Sequence, residues 1–280
     1  MTRPHDEPTL HIDGRAGPSA AAWRTASAAL LFCLAAGHAA AADGADEAAA
    51  VPYRPSVSTP AALSRPGWIE VEAGLQHQHD GGGARRDSAP VTLKLAFTPD
   101  WGIRVGGDAW VRTRDGAGGR DSGVGDTGIV VKRRFAVDDA QAFGLEAGVV
   151  VPTARHGAGS GSGKPDYGVN AIYSADFGAW HTDLNIVATR LGAVAPDAGR
   201  TQWLGAASLS HALDERWGAV AEISATRQRG QADTLQLLTA LSYNVSKRLV
   251  LDAGAARSLR SGAPVWSAFA GFTWLAARLF

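Results

Sequence analysis

From Trp68 to the end of the chain, apolar and polar residues alternate with a period of two, in stretches of roughly ten residues separated by turn residues. This period is typical of β-strands whose two faces meet different surroundings. An even number of such strands can close into an antiparallel barrel. We predict an all-β fold, a transmembrane antiparallel up-and-down β-barrel of about 12 strands. The predicted strands begin at Trp68, Val91, Ile103, Asp126, Ala142, Tyr167, His181, Gln202, Gly218, Thr234, Leu249 and Val265.

The composition limits which proteins can show this alternation. The mean hydropathy is −0.07, and the sequence has no run of about 18 apolar residues, so spanning helices are excluded. The chain has 27 basic and 27 acidic residues, and this balance gives no electrostatic argument for binding nucleic acid. A water-soluble β-protein and a membrane barrel both remain compatible with these values.

The connections between the predicted strands alternate in length. Short turns are predicted at Thr98–Asp100, Asp138–Ala140, Phe177–Ala179, Asp214–Arg216 and Ser246–Lys247. Longer, mostly Gly-rich loops are predicted at Asp80–Ala89, Asp115–Gly125, Ala154–Pro165, Leu191–Thr201, Arg229–Ala232 and Arg260–Ala263. Outer-membrane barrels have short periplasmic turns and longer outer loops, whereas a soluble sandwich has no reason to alternate them. The loop pattern therefore favours the membrane barrel.

Aromatic residues recur where predicted strands meet the short-turn end. Such residues form a girdle at a membrane interface. The predicted girdle consists of Trp68, Trp101, Phe143, Trp180, Trp217 and Trp274. The terminal Phe280, with apolar residues at alternate positions before it, resembles the assembly signal of outer-membrane proteins.

The N-terminal region reads as an export signal followed by a spacer. Arg24 precedes an apolar core at 26–36, and small residues allow cleavage after Ala40 or Ala42. We expect residues 1–42 to be a signal peptide with an N-terminal extension, and 43–65 to be an irregular, Pro-rich periplasmic lead-in. Residues 66–280 would then form the barrel, in the outer membrane of a Gram-negative cell.

Three short motifs resemble a known family. Residues 66–72 read PGWIEVE, Gly125-Asp126 opens a later strand, and Val151-Pro152-Thr153-Ala154 partly matches a Leu-Pro-Thr-Gly turn, with Ala154 in place of Gly. They resemble the outer-membrane, transporter-like proteins called the putative meta-pathway of phenol degradation family. The resemblance implies an outer-membrane channel or transporter, in some cases associated with the degradation of aromatic compounds.

Charged residues at alternate positions are expected to line the lumen. These side chains either set the selectivity of an open or gated path or pair with one another to fill a narrow barrel. The lumen candidates are Glu70, Glu72, Lys94, Arg104, Asp108, Arg112, Asp126, Lys132, Glu146, Asp183, Glu222 and Asp252.

The sequence is compatible with three hypotheses about function. The favoured one is a channel for small solutes, among them hydrophobic or aromatic compounds, and the alternative is a closed structural or adhesive barrel that acts through its outer loops. A hydrolase is less favoured, because Ser210 and His211 fall on opposite strand faces. No catalytic residue, metal site or cofactor is predicted. The expected partners are outer-membrane lipid, the barrel assembly machinery through the C-terminal strand, and a small-molecule solute.

Overall fold

The computed structural model describes residues 48–154, 161–260 and 264–280. The predicted export signal lies outside these residues and stays a prediction. No helix in the described part of the chain is long and apolar enough to cross a membrane. The strands are β1 (Trp68–Gly81), β2 (Ala84–Ala96), β3 (Trp101–Arg114), β4 (Arg120–Gly123), β5 (Thr127–Ala136), β6 (Gln141–Val151), β7 (Asp166–Phe177), β8 (Trp180–Arg190), β9 (Thr201–Ala212), β10 (Trp217–Gln228), β11 (Thr234–Ser246), β12 (Leu249–Ser258) and β13 (Trp266–Arg278).

The strands form one closed antiparallel barrel. Each strand pairs with its neighbours in the chain, and β1 also pairs with β13, which closes the sheet. Strands β4 and β5 both pair with β3 and together form one interrupted strand, so the wall has twelve positions. The prediction of a twelve-stranded up-and-down barrel is confirmed. Closure pairs every strand on both edges except the short β4, which pairs only with β3, so the wall satisfies nearly all of its backbone polar groups within the sheet.

The predicted strand starts agree with the structure to within two residues, except in the second and fourth strands. The fourth strand begins with β4 at Arg120 and not at Asp126, so part of the loop predicted over Asp115–Gly125 is strand. The second strand begins at Ala84 and not at Val91, so the long loop predicted over Asp80–Ala89 is wrong. Gly81, Gly82 and Gly83 have φ values of 82°, 56° and 86°. A left-handed run of glycines makes a tight hairpin turn, so the two strands continue on either side of it.

Two of the short turns are stabilised by aspartate side chains. In the turn between β9 and β10, the Asp214 carboxylate accepts hydrogen bonds from the N–H groups of Trp217 and Arg216, both at 2.7 Å. These two bonds hold the pKa of Asp214 below its usual value, and the bond from Trp217 has the larger effect. In the turn between β5 and β6, the Asp138 carboxylate accepts a bond from Ala140 at 2.9 Å. Such side-chain bonds replace the ladder bonds that a turn interrupts.

The outer surface of the wall is apolar over the height of a membrane. On β8, Leu184 and Ile186 are 45% and 62% exposed and lie on either side of the buried, inward-facing Asn185. On β3, the outward-facing Trp101 and Trp110 lie nine residues apart. At the usual rise and tilt of barrel strands, this separation is about 23 Å along the barrel axis, close to the apolar band of outer-membrane barrels.

Five of the six girdle residues lie on the outer surface at the short-turn end, here called the inner end. Trp101, Phe143, Trp180, Trp217 and Trp274 are 41–50% exposed. The prediction for Trp68 is wrong, because this side chain is only 7% exposed and packs against Ala48 and Leu275. Its position has the same parity as Glu70 and Glu72, so it points into the barrel with them.

The apolar surface makes a prediction about lipid contact. Ile186→Arg should lower the free energy of unfolding in lipid vesicles by about 2–4 kcal/mol, because it puts a charge near the bilayer midplane. Thr201→Arg, at the outward-facing start of β9, should cost only about 0–1 kcal/mol. Denaturant unfolding followed by tryptophan fluorescence measures both costs. Equal costs for the two variants would contradict a lipid-facing wall.

Candidate functional site

Residues 48–65 lie inside the barrel, and we call this segment the plug. It contains no strand, yet Ala61, Ser58 and Ser64 are only 0%, 1% and 3% exposed. The plug enters at the inner end, where the Ala50 N–H bonds the carbonyl of Lys247 at 2.8 Å. The predicted periplasmic position of this segment is wrong for its described residues. Its many prolines remove strand pairing, and several of its backbone N–H groups bond to the wall.

Wall carboxylates accept hydrogen bonds from the plug backbone. Glu70 accepts the N–H of Val51 at 2.8 Å, and Glu72 accepts that of Tyr53 at 2.6 Å. Four strand positions round the barrel from β1, Glu222 on β10 accepts the N–H of Val57 at 3.0 Å, and the N–H and hydroxyl of Ser58, both at 2.7 Å. Charge-assisted bonds of this kind are about twice as strong as neutral ones. The plug is therefore bound on two separate parts of the lumen wall.

Arg54 of the plug makes an ion pair with the wall. Its Nε and Nη2 lie 3.1 and 3.0 Å from the two carboxylate oxygens of Asp252 on β12. The guanidinium lies over Gly74 and Gly271, which pair with each other in β1 and β13. A Cβ at either glycine would lie 2.6–2.7 Å from Arg54 Nη2. The two glycines thus leave the space that the guanidinium occupies.

Two wall lysines enclose the ring of Tyr53. Lys94 Nζ and Lys132 Nζ lie 3.8 and 3.9 Å from the ring centroid. Both lysines also donate to plug carbonyls, Lys94 to Val51 at 2.6 Å and Lys132 to Pro60 at 2.7 Å. Each in turn is paired with wall carboxylates at 2.5–3.2 Å. The basic residues of the lumen are therefore paired with acidic ones in this closed state.

Neutral polar groups hold the plug on the β7–β8 side. The side chain of Asn185 accepts the N–H of Thr59 and donates to its carbonyl, both at 3.0 Å. Ser174 Oγ accepts the N–H of Ala61 at 2.7 Å and donates to Asp183. The plug thus rises to the middle of the wall at Asn185 and returns to the inner end.

The diameter of the barrel explains why a separate segment fits inside it. Twelve strands at the usual spacing and tilt give roughly 24 Å between facing backbones, compared with roughly 16 Å for eight strands, whose side chains fill the interior. Small wall residues admit the plug locally. A Cβ at Gly144 would lie 3.3 Å from the Cα of Ala61, and one at Gly102 would lie 2.9 Å from the Leu63 side chain.

A cavity of about 230 Å³ lies against the plug. Its lining includes Tyr53, Arg54 and Thr59 of the plug. The wall contributes mainly uncharged polar groups, with a few apolar side chains among them. These wall residues include Gln76, Gln78, Thr189, Gln202, Gln236, Leu204, Leu238 and Phe269.

One donor and one acceptor on the cavity lining have no partner in the described protein. These buried atoms are Arg104 Nε and Asn170 Oδ1. The Nη2 of Arg104 bonds Glu146 at 3.2 Å, and the Nδ2 of Asn170 bonds the same carboxylate at 3.0 Å. These two buried atoms therefore belong to side chains that one carboxylate holds in place.

The structure places eleven of the twelve predicted lumen residues on the inward side. They are Glu70, Glu72, Lys94, Arg104, Asp108, Asp126, Lys132, Glu146, Asp183, Glu222 and Asp252.

Arg112 is the exception, and the prediction that it lines the lumen is wrong. Its side chain is 58% exposed and pairs with Asp87 at 2.9 Å on the outer surface. The ladder shifts where Trp110 and Asp108 pair with consecutive residues of β2, so Ala109 is an extra residue. A bulge of one residue exchanges the two faces of the strand beyond it.

Sequence reasoning missed the residues of the plug itself and the uncharged wall residues that bind it. Tyr53, Arg54 and Ser58 belong to a segment without periodicity, so no strand pattern could place them. Asn170 and Asn185 do alternate with apolar neighbours in their strands, and this alternation could have assigned them to the lumen.

The residues considered for catalysis do not come together. Ser210 Oγ bonds only the carbonyl of His181, at 3.4 Å. The ring of His211 stacks on Trp180 on the outer surface, with 4.3 Å between centroids. In the described ranges there is no group of three or more potential metal ligands.

A closed antiparallel barrel with an apolar exterior and a polar, plugged interior has the fold of an outer-membrane β-barrel. A sequence model of the family "Putative MetA-pathway of phenol degradation" matches residues 83–276. The chain belongs to this family. No curated protein matches the sequence.

Solved structures of outer-membrane channels share the fold. The COG4313 outer membrane channel from Pseudomonas putida F1 has a TM-score of 0.62 at 14% identity, over 76% of this chain and 97% of that one. The NanC porin has a TM-score of 0.51 at 9% identity, over 75% and 100% of the two chains. The KdgM porin, in complex with disordered oligogalacturonate, has a TM-score of 0.50 at 10% identity, over 74% and 99%.

The Arg54–Asp252 pair gives a testable prediction. Arg54→Gln should destabilise the protein by up to about 3–5 kcal/mol, because the Asp252 carboxylate keeps its charge but loses its partner. Arg54→Gln with Asp252→Asn should recover most of this loss, since no unpaired charge remains. Arg65→Gln, an exposed change at the end of the plug, is the control. Denaturant unfolding measures all three, and equal effects of Arg54→Gln and Arg65→Gln would contradict the buried pair.

Proposed function

We propose that the protein is an outer-membrane channel for small solutes, closed in this structure by its own N-terminal plug and opened when the plug moves. The apolar band and aromatic girdle suit a bilayer, and family membership supports the outer membrane as the location. The predicted export signal would bring the chain there, and the C-terminal strand ending in Phe280 would engage the assembly machinery.

The observation that carries this proposal is that a separate segment, and not the wall, blocks the lumen. The plug forms no strand, and apart from the backbone bond between Ala50 and Lys247 its contacts with the wall are side-chain bonds and packing. Such contacts can break while the barrel ladder stays intact, because the ladder does not depend on them. Moving the plug would expose polar and charged wall residues along a continuous path.

The lining of the cavity suggests the kind of solute. Apolar side chains such as Leu204, Leu238 and Phe269 lie among the amides, so the cavity suits a solute with an apolar body and a polar group. Movement of the plug would uncover the buried Arg104 Nε and Asn170 Oδ1, from which a hydroxyl group could accept and to which it could donate a hydrogen bond. The phenol degradation named by the family is consistent with a hydroxylated aromatic compound, which we propose as the solute class.

The alternative is a closed barrel that acts through its outer loops. The ion pairs and hydrogen bonds of the plug stabilise the closed state, and a stable closed state favours this alternative. The two readings differ in whether the plug ever leaves the lumen, which conductance measures directly.

Deletion of the plug should open the channel. In planar bilayers, the protein lacking residues 48–64 should give steady ohmic steps, whereas the full chain should be closed most of the time. Arg54→Gln combined with Glu222→Gln, in the full chain, should raise the open fraction, because both changes remove plug contacts. Heat-modifiable mobility on a gel confirms that each variant is folded. A folded deletion variant without conductance would contradict the channel reading and favour action through the outer loops.

The opened channel should be selective for cations. Nine carboxylates but only two lysines are among the buried residues of the described barrel, and excess lumen charge attracts counter-ions. In the plug-deleted protein, Glu222→Gln with Asp252→Asn should move the reversal potential in a salt gradient toward zero. Asp214→Asn, in an exposed turn, should not. Selectivity for anions in the plug-deleted protein would overturn this assignment of the lumen charge.

A further inference from the structure

Three arginines lie side by side on the outer surface near the long-loop end. Arg85 on β2 pairs with Arg114 on β3, which pairs with Arg120 on β4. Directly paired residues of an antiparallel ladder point to the same face, and all three side chains are exposed. We call these residues the arginine row.

The arginine row lacks acidic partners. None of the ion pairs among the described residues includes a member of the row. The nearby Asp87 is bound to Arg112 and His77 at 2.9 and 2.6 Å. Like charges directly opposite each other in a ladder are destabilising. Such a row therefore favours an anion bound from outside the protein.

The height of the row on the barrel places it among lipid headgroups. Trp110, four residues before Arg114 in the same strand, is 40% exposed and belongs to the aromatic residues at the outer end of the apolar band. Four residues along a tilted strand correspond to about 10 Å along the barrel axis. The guanidinium groups therefore lie just beyond the aromatic level, in the polar layer of the membrane.

We propose that the arginine row binds the phosphate groups of lipopolysaccharide in the outer leaflet. Guanidinium groups match phosphate oxygens with paired, charge-assisted hydrogen bonds. A phosphate shared by two neighbouring arginines also removes their repulsion. The proposal rests on insertion in the outer membrane and is independent of conduction, so a barrel that does not conduct would leave it unchanged.

The test measures binding of bisphosphorylated lipid A to the folded protein in detergent, by native mass spectrometry and by the shift in melting temperature. Replacing Arg85, Arg114 and Arg120 with Gln should weaken binding by about tenfold or more, because three charge-assisted contacts are lost. The control replaces outward-facing, exposed arginines on strands that do not adjoin one another. These are Arg190, Arg227 and Arg257. Their replacement with Gln should leave binding nearly unchanged.

The single variant Arg114→Gln tests the predicted direction of the change in melting temperature. This test applies even if the triple variant does not fold. Without lipid A this change should leave the melting temperature equal or raise it, because it relieves both like-charge contacts. With lipid A it should reduce the stabilisation that the lipid gives, whereas Arg227→Gln should not.

Three results would overturn the proposal. Equal losses of binding in the row variants and the controls would mean that overall charge binds the lipid. Unchanged binding in the row variants would exclude the row as the site. Stabilisation by inorganic phosphate as strong as that by lipid A would assign the row to a free anion and not to a lipid.

Discussion

Buried carboxylates are the constraint on which this structure depends. A buried carboxylate without hydrogen-bond donors is costly, and a twelve-stranded barrel is too wide for its side chains to supply all the donors. The plug supplies backbone N–H groups to Glu70, Glu72 and Glu222, and a guanidinium to Asp252. In the proposed channel, the same charges that would make the emptied lumen selective for ions hold the plug in place.

This arrangement separates the stability of the barrel from that of its closed state. The barrel wall is stabilised by a continuous ladder and by its outer surface in lipid, while the plug is held by polar contacts to one face of that wall. Regions with few apolar contacts and replaceable hydrogen bonds open at lower free energy than a sheet. In the proposed channel, a solute would meet the plug in the cavity that Arg104 and Asn170 line, so solute binding and plug movement would take place in one cavity.

The barrel was predictable from the sequence because three independent patterns all follow from the same barrel wall. These are the period of two in the strands, the alternation of short and long connections, and the positions of the aromatic residues. The plug was not predictable, because prolines such as Pro52, Pro55 and Pro60 interrupt any periodic pattern, and a segment without such a pattern was interpreted as a spacer. One feature of the sequence does indicate a plug. The predicted lumen residues include more carboxylates than basic side chains, so the carboxylates need hydrogen-bond donors from outside the wall. The inward position of Trp68 was readable from its parity with Glu70, whereas the reversal at Arg112 depends on a bulge that alternation does not reveal.

Hydrogen exchange of the plug amides tests the central claim most directly. The account predicts that the amides of Val51, Tyr53, Ser58 and Ala61 are protected in the folded barrel and exchange together, faster than those of the strands. Glu222→Gln should lower the protection of the whole segment, because one weakened contact loosens a unit that leaves as one body. Exchange of these amides as fast as that of the loop at 191–200 would contradict the account, since the plug would then not be bound inside the barrel.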